Sequence, residues 1–312
     1  MRDSTAEWRS RLEALLALGG LRSVSRVLVV EECRSTQDEA ERLAEGRAGL
    51  LLVTRRQTQG RGRQGRSWHQ NGQGVAATFV LDSRAFRASR TGDRGTGSRG
   101  TGFQAMEGRA EVGSLGQQDA LAMGGGTQAG AMAWETGMLA LAAGLAAAEA
   151  VQGALAGTNA RVGLKWPNDV VAWSGPDRPD RPAKIAGCLI EQRGRLALVG
   201  IGINVRQRAE DFPPDLAGRC TSVAMLGGRE DIIDVIGRLA RALDAALALP
   251  PEALVEEWRR RDILAGTVRT LEHDGRRWTG RVESIDPLAH VRLTTPAGPI
   301  ELPAASTTVV WE

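Results

Sequence analysis

Two apolar segments, Ile185–Gln192 and Leu196–Ile203, flank the pair Arg193-Gly194. Their length, their Val, Ile and Leu content and the turn residues between them predict two long strands paired around a tight turn. Shorter runs predict further strands at Arg26–Val30, Leu50–Thr54, Val75–Leu81, Arg161–Leu164 and Val170–Trp173. Helices are expected at Ser4–Leu18, from Ser35 or Thr36 to about Glu45, and at Glu135–Val151, Glu230–Leu247 and Glu252–Arg261. Ser4 and Glu7 have capping-box spacing, and Gly46 is a natural stop for the second helix. After Leu264 only short strands follow: Val268–Leu271, Trp278–Ile285, His290–Thr294, Ile300–Leu302 and Thr307–Trp311. That pattern suggests a small barrel, with a domain boundary near Asp262. The expected division is therefore 1–262 and 263–312.

One stretch breaks the pattern. Arg84–Gly130 is rich in Gly, Ser, Thr and Arg and poor in large apolar residues, so it is read as a disordered, solvent-exposed insertion. The rest of the 312-residue chain, 42% hydrophobic and 25% charged overall, can bury a real core. A formal charge of +3 is too small to indicate nucleic-acid binding. Cys33, Cys188 and Cys220 show neither Cys-x-x-Cys nor zinc spacing, which fits thiols in a reducing cytoplasm. The first 25 residues lack a signal-peptide core, and the apolar run Met138–Ala148 is short for a bilayer and reads as a buried helix. No membrane association is expected.

The chemistry-bearing residues fall in separate segments. Gly60-Arg61-Gly62-Arg63-Gln64-Gly65 matches G-x-G-x-x-G. A dinucleotide-binding fold would need a helix directly after it, whereas a strand is predicted. A kinase would need V-A-I-K, H-R-D and D-F-G, which do not follow. What remains is physical. Glycines let the backbone approach a ligand, Arg61, Arg63 and Arg66 offer planar forks for phosphate or carboxylate, and Trp68 offers a flat apolar wall. Lysine is rare: 38 of the 40 basic residues are arginine, leaving Lys165 and Lys184. One opens Lys165-Trp166-Pro167-Asn168-Asp169, the other Lys184-Ile185-Ala186-Gly187. A compact ammonium at these two places suggests sites that a broad guanidinium does not fit.

Taken in order, these segments resemble the biotin protein ligase family. Ser35-Thr36-Gln37 resembles its Ser-Thr-Asn segment, and Gln57–Trp68 its biotin-binding loop. Lys165–Asp169 is its Lys-Trp-Pro-Asn-Asp motif, Lys184–Gly187 its Lys-x-x-Gly strand, and Gly200–Asn204 its Gly-x-Gly-Ile-Asn strand. The series spans roughly 25–82 and 135–262. Two features depart from the family: Gln37 stands where asparagine is usual, and the Arg84–Gly130 insertion lies outside the familiar core.

The resemblance implies an α+β fold, a mixed sheet flanked by helices and closed by a small SH3-like β-barrel. It implies an enzyme that joins biotin to ATP as biotinyl-adenylate and transfers biotin to a lysine of a biotin carboxyl carrier protein. It places biotin on Ser35, Thr36, Gln37, Gln57, Gly60, Arg61, Gly62, Arg63, Lys184 and Gly187. The nucleotide falls to Arg61, Arg63, Arg66, Trp68, Lys165, Asn168 and Asn204, with Asn204 reading the adenine. Lys184, Arg63 and Asp169 are the catalytic candidates: Lys184 on the carboxylate and α-phosphate, Arg63 as a clamp, and Asp169 to orient or deprotonate the incoming amine. Asn168 and Asp169 are alternatively a magnesium pair. A homodimer is left open. Rival readings are a lipoate or octanoate transferase of the same superfamily and a non-catalytic Arg-Gly RNA binder. A DNA-binding repressor is disfavoured, because a helix-turn-helix needs more than the one helix predicted before Arg26.

Overall fold

The computed structural model describes residues 4–62, 65–83, 128–179, 181–229, 231–304 and 306–310, with the side chains of 128–134 left aside. Helix α1 (Thr5–Ala17) begins with the expected capping box: the Ser4 amide donates to Glu7 Oε2 at 2.6 Å, and the Glu7 amide donates to Ser4 Oγ at 3.2 Å. Strand β1 (Arg26–Cys33), helix α2 (Thr36–Ala44), and strands β2 (Leu50–Arg61), β3 (Ser67–Gln70) and β4 (Gly74–Asp82) follow. Helix α3 spans Gln128–Ala154, ahead of β5 (Ala160–Lys165), β6 (Asp169–Ser174), β7 (Ala183–Arg193) and β8 (Leu196–Asn204). Helices α4 (Ile232–Leu247) and α5 (Pro251–Arg261) complete this part.

Among the described residues eight strands form one mixed sheet in the order β1-β2-β4-β8-β7-β6-β5, with β3 paired to β2. Only the β1–β2 pairing is parallel. The long predicted hairpin is β7–β8, in register from Ala186↔Ile203 to Arg193↔Leu196.

Side chains alternate across a strand, so β8 presents two different faces. Ala197, Val199, Ile201 and Ile203 enter the main core. There they meet Met138, Leu139, Ala142 and Ala146 of α3 and Ile236, Leu239 and Leu243 of α4. The helix Glu135–Ala154 is long and apolar enough to cross a membrane, but it is largely buried between α4 and the sheet. The opposite face carries Leu198, then Gly200, Gly202 and Asn204. Helix α2 covers the first part of it, packing Ala40 and Ala44 over Leu50, Leu52, Val80 and Leu198. Beyond α2 the glycines leave a flat strip of backbone.

Two expectations change. Gln57–Trp68 is not wholly a loop: β2 runs on to Arg61, and β3 folds back with Gly60 opposite Trp68 and Arg61 opposite Ser67. Its glycine and arginine content reads as loop, yet ladder hydrogen bonds join backbone groups that every such residue has. The tip is closed by the Gly62 amide donating to Arg66 O at 2.6 Å. Helix α3 also starts at Gln128, inside the expected insertion, where alanines favour helix. The remainder of that insertion, 84–127, lies outside the described residues.

A second, antiparallel sheet follows in the order β12-β11-β10-β9-β13, from β9 (Val268–His273), β10 (Arg276–Ile285), β11 (His290–Thr295), β12 (Gly298–Pro303) and β13 (Thr308–Val310). The chain enters it through Asp262, which bridges to Leu164 of β5.

Candidate active site

The start of α2 is held by a buried polar chain. Thr78 Oγ1 donates to Thr36 Oγ1 at 2.9 Å, and Thr36 donates to Gln57 Oε1 from its amide at 2.8 Å and from its hydroxyl at 3.0 Å. Gln57 in turn donates its amide to Gln70 Oε1 at 2.9 Å. Thr36 and Gln57 thus come together, with Ser35 next to Thr36 at the cap of α2, and Gln57 Nε2 turns towards Gly60, where an added Cβ would strike it. Gln37 points elsewhere. Its Nε2 donates to Leu189 O at 3.1 Å and to Leu198 O at 3.2 Å, so the longer amide ties α2 to β7 and β8.

The glycine strip is the floor. Gly187 of β7 lies opposite Gly202 of β8. Trp68 rests across both: a Cβ at Gly202 would collide with its indole, and one at Gly187 would come within 3.4 Å of it. The Lys184 ammonium sits 5.5 Å from the centre of the same ring, within range of a cation–π attraction. The indole Nε1 is buried among these groups without a hydrogen-bond partner. A buried donor left unpaired costs about 1–3 kcal/mol, so this is a place that favours an acceptor.

The two lysines meet at Asp169. Its Oδ1 is 2.6 Å from Lys184 Nζ, and its Oδ2 is 3.2 Å from Lys165 Nζ. Burial alone would push the Asp169 carboxyl up, but the two ammonium groups hold it below the usual carboxylate range. Burial likewise pulls Lys165 below the usual lysine range, against the pull of Asp169. A carboxylate stabilised in this way is a poor proton acceptor, so the geometry speaks for Asp169 as an orienting anion and against it as a base. Asn168 is turned into the fold, donating Nδ2 to Cys188 O at 2.6 Å, while its own carbonyl accepts from the Cys188 amide at 3.0 Å. The magnesium pair does not fit. Both Asp169 oxygens face ammonium groups, and two neighbouring cations oppose a third.

Between α2, the β2–β3 hairpin and β7 lies an open cleft of about 1080 Å³, bordered by Ser35, Gly60, Arg61, Gly62, Arg66 and Trp68. Arg66 lies close enough to Lys165 to depress its ionisation. Arg63 lies outside the described residues. Arg61 is not presented to the cleft as a free fork. It grips Asp38 through two bonds of 2.7 Å and Glu191 through bonds of 3.1 and 3.3 Å. Asn204 is likewise closed in: Nδ2 donates to Thr221 O at 3.0 Å, and Oδ1 accepts from Gln207 at 3.4 Å. In this conformation it braces the end of β8, and it is not free to read adenine.

Sequence reasoning missed Asp38, Glu191, Thr78 and Gln70. Glu191 carried a signal: it stands two and four residues beyond Leu189 and Gly187, on the strand face that bears the glycine floor. Asp38 carried none, because its partner is brought to it by tertiary structure.

The Biotin/lipoate A/B protein ligase family model matches residues 29–93. The biotin–[acetyl-CoA-carboxylase] ligase of Mycobacterium tuberculosis is 31% identical over 231 residues, covering 73% of this chain and 66% of that protein. The bifunctional ligase/repressor of Bacillus spizizenii is 29% identical over 204 residues, covering 63% of this chain and 45% of that protein. The chain therefore spans just under two thirds of the first relative's length and under half of the second's. The Aquifex aeolicus biotin protein ligase, solved with biotin and ATP, superposes with a TM-score of 0.61 over 92% of this chain and 100% of its own, at 23% identity, and shares the fold. On sequence motifs, fold and relatives together, the chain belongs to the biotin protein ligase family within the biotin/lipoate A/B protein ligases.

Proposed function

We propose that the chain is an ATP-dependent biotin protein ligase that modifies the carrier domain of a biotin-dependent carboxylase. The observation that carries this reading is the convergence of Trp68, Lys184, Gly187 and Gly202 on one strip of the sheet, beside the Thr36–Gln57 network. The Trp68 indole, which covers this strip and borders the cleft, offers an apolar face to a fused bicyclic ring, the polar network suits its urea, and the ammonium suits its carboxylate.

The reaction runs in two steps. A carboxylate oxygen of biotin attacks the α-phosphorus of ATP, and the bond to pyrophosphate breaks. The lysine amine of the carrier then attacks the acyl carbon, AMP leaves, and the amine's proton passes to solvent. The first step sets an anion against a polyanion. Charges ~4 Å apart interact by about 4 kcal/mol at an effective dielectric near 20. Lys184 and Arg66 supply fixed positive charge against that repulsion, and Asp169 keeps the Lys184 ammonium in place. Arg63, outside the described residues, keeps the role of clamp on the adenylate that the family resemblance gives it. The proposed division puts this chemistry in 1–262 and leaves 263–312 as the small β-domain.

Incubation with labelled biotin, ATP and a carboxylase carrier domain tests the reading. Label on the carrier that depends on both ATP and biotin is expected. Label transferred from lipoate in preference to biotin would overturn it.

A further inference from the structure

We propose that Arg61 is a positioning residue, clipped by Asp38 and Glu191 so that the glycine-arginine hairpin is held against α2 and β7, and that this clip sets the affinity for biotin. The inference rests on the cleft being a biotin site.

Arg61 is the last residue of β2, Asp38 lies in the first turn of α2, and Glu191 is near the end of β7. These are the three walls of the cleft. Arg61 binds Asp38 end-on through both terminal nitrogens at 2.7 Å, and it binds Glu191 from the side through Nε and Nη2 at 3.3 and 3.1 Å. A guanidinium has five N–H donors. Five contacts to two carboxylates engage Nε, Nη1 and Nη2 and leave too few donors in the right plane for a third bidentate anion. Its positive charge is also more than matched by two negative ones. Glu191 is braced from behind by Arg193 at 2.6 Å, and Arg193 reaches Glu41 of α2 at 3.1 Å, so the clip closes on itself across α2 and β7. A bidentate, braced pair of this kind holds geometry better than an isolated surface ion pair.

The alternative role, Arg61 as a direct ligand of biotin carboxylate or phosphate, predicts the opposite sign. Asp38→Asn would then release Arg61 to the ligand and lower the KM. As a clip, the same change frees the hairpin and weakens binding. Steady-state biotin-dependent ATP–pyrophosphate exchange is measured for the full chain, Asp38→Asn, Asp38→Glu and Glu191→Gln. Expected are a KM for biotin raised roughly three- to tenfold in Asp38→Asn and Glu191→Gln, a kcat within about twofold, and a KM restored towards the parent in Asp38→Glu. A lowered or unchanged KM in Asp38→Asn overturns the proposal, as does a loss confined to kcat. Amide hydrogen exchange across residues 57–70 is the second measurement. Faster exchange in Asp38→Asn than in the parent supports the clip even in a protein that shows no exchange activity, an outcome that would sink the biotin reading alone. Unchanged hydrogen exchange overturns the clip.

Discussion

Asp169→Asn separates the two roles assigned to this residue and can be sized from the structure. The parent carboxylate faces Lys184 at 2.6 Å and Lys165 at 3.2 Å. At an effective dielectric near 20 the direct attractions are about 6 and about 5 kcal/mol. Desolvation of three charged groups offsets most of that. The practical measure is the cost of removing one partner from a buried pair, about 3–5 kcal/mol. Lys184 is a third exposed and can turn to water, so the lower end, about 3 kcal/mol, is expected. For a chain of this size that corresponds to a melting temperature lower by roughly 6–12 °C. The pH dependence has a definite sign. The folded Asp169 carboxyl is held below its ordinary range, so its stabilisation is complete above the ordinary carboxylate value and is lost as pH falls through the folded value. The gap between parent and Asp169→Asn, followed by circular dichroism melts from pH 7 downward, should therefore narrow on acidification. A gap absent at pH 7, or one that widens towards acid, would refute the electrostatic account. Activity adds a second arm. An Asp169 that anchors Lys184 is needed for adenylation, so biotin-dependent ATP–pyrophosphate exchange should fall with it. Retained exchange with lost transfer to the carrier would instead make Asp169 the base of the second step.

Other outcomes follow from the same geometry. Lys184→Arg should lose most exchange activity, because a planar fork does not fit between Asp169 and the Trp68 ring; parent-like exchange rates would contradict this. Gly202→Ala puts a methyl into the Trp68 indole and should raise the biotin KM about tenfold with the fold intact, measured by kinetics beside a melt; an unchanged KM would show that the ring yields freely. Burial pushes the Cys188 thiol up to about 12, so native protein at pH 8 should leave it unalkylated by iodoacetamide while denatured protein labels it, as read by mass spectrometry. Leu239→Ala, in the fully buried face of α4, should cost about 2–5 kcal/mol in denaturant unfolding.

Much of the fold was legible because its signals are local. The Ser4/Glu7 box begins α1, and the apolar runs around Arg193-Gly194 became β7 and β8. The hairpin of β2 and β3 was harder, because glycine and arginine have the composition of a loop while their backbones pair as well as any others. The site was legible as a set of segments and not as a set of roles. Trp68, Lys184 and Gly187 did meet, but Arg61, Asn168 and Asn204, chosen as ligand contacts, are bound by other groups of the chain.

Residue order and type alone determined the family, the succession of strands and helices, and which segments carry the chemistry, since strand alternation, caps and rare lysines act over a few neighbours. Which face of each strand meets helix and which stays open, which carboxylate takes up Arg61, and why Asp169 stays ionised were decided only when distant segments packed. Electrostatic and hydrogen-bond partnerships depend on separation in space, and the sheet order that sets those separations is not a property of any one stretch of chain.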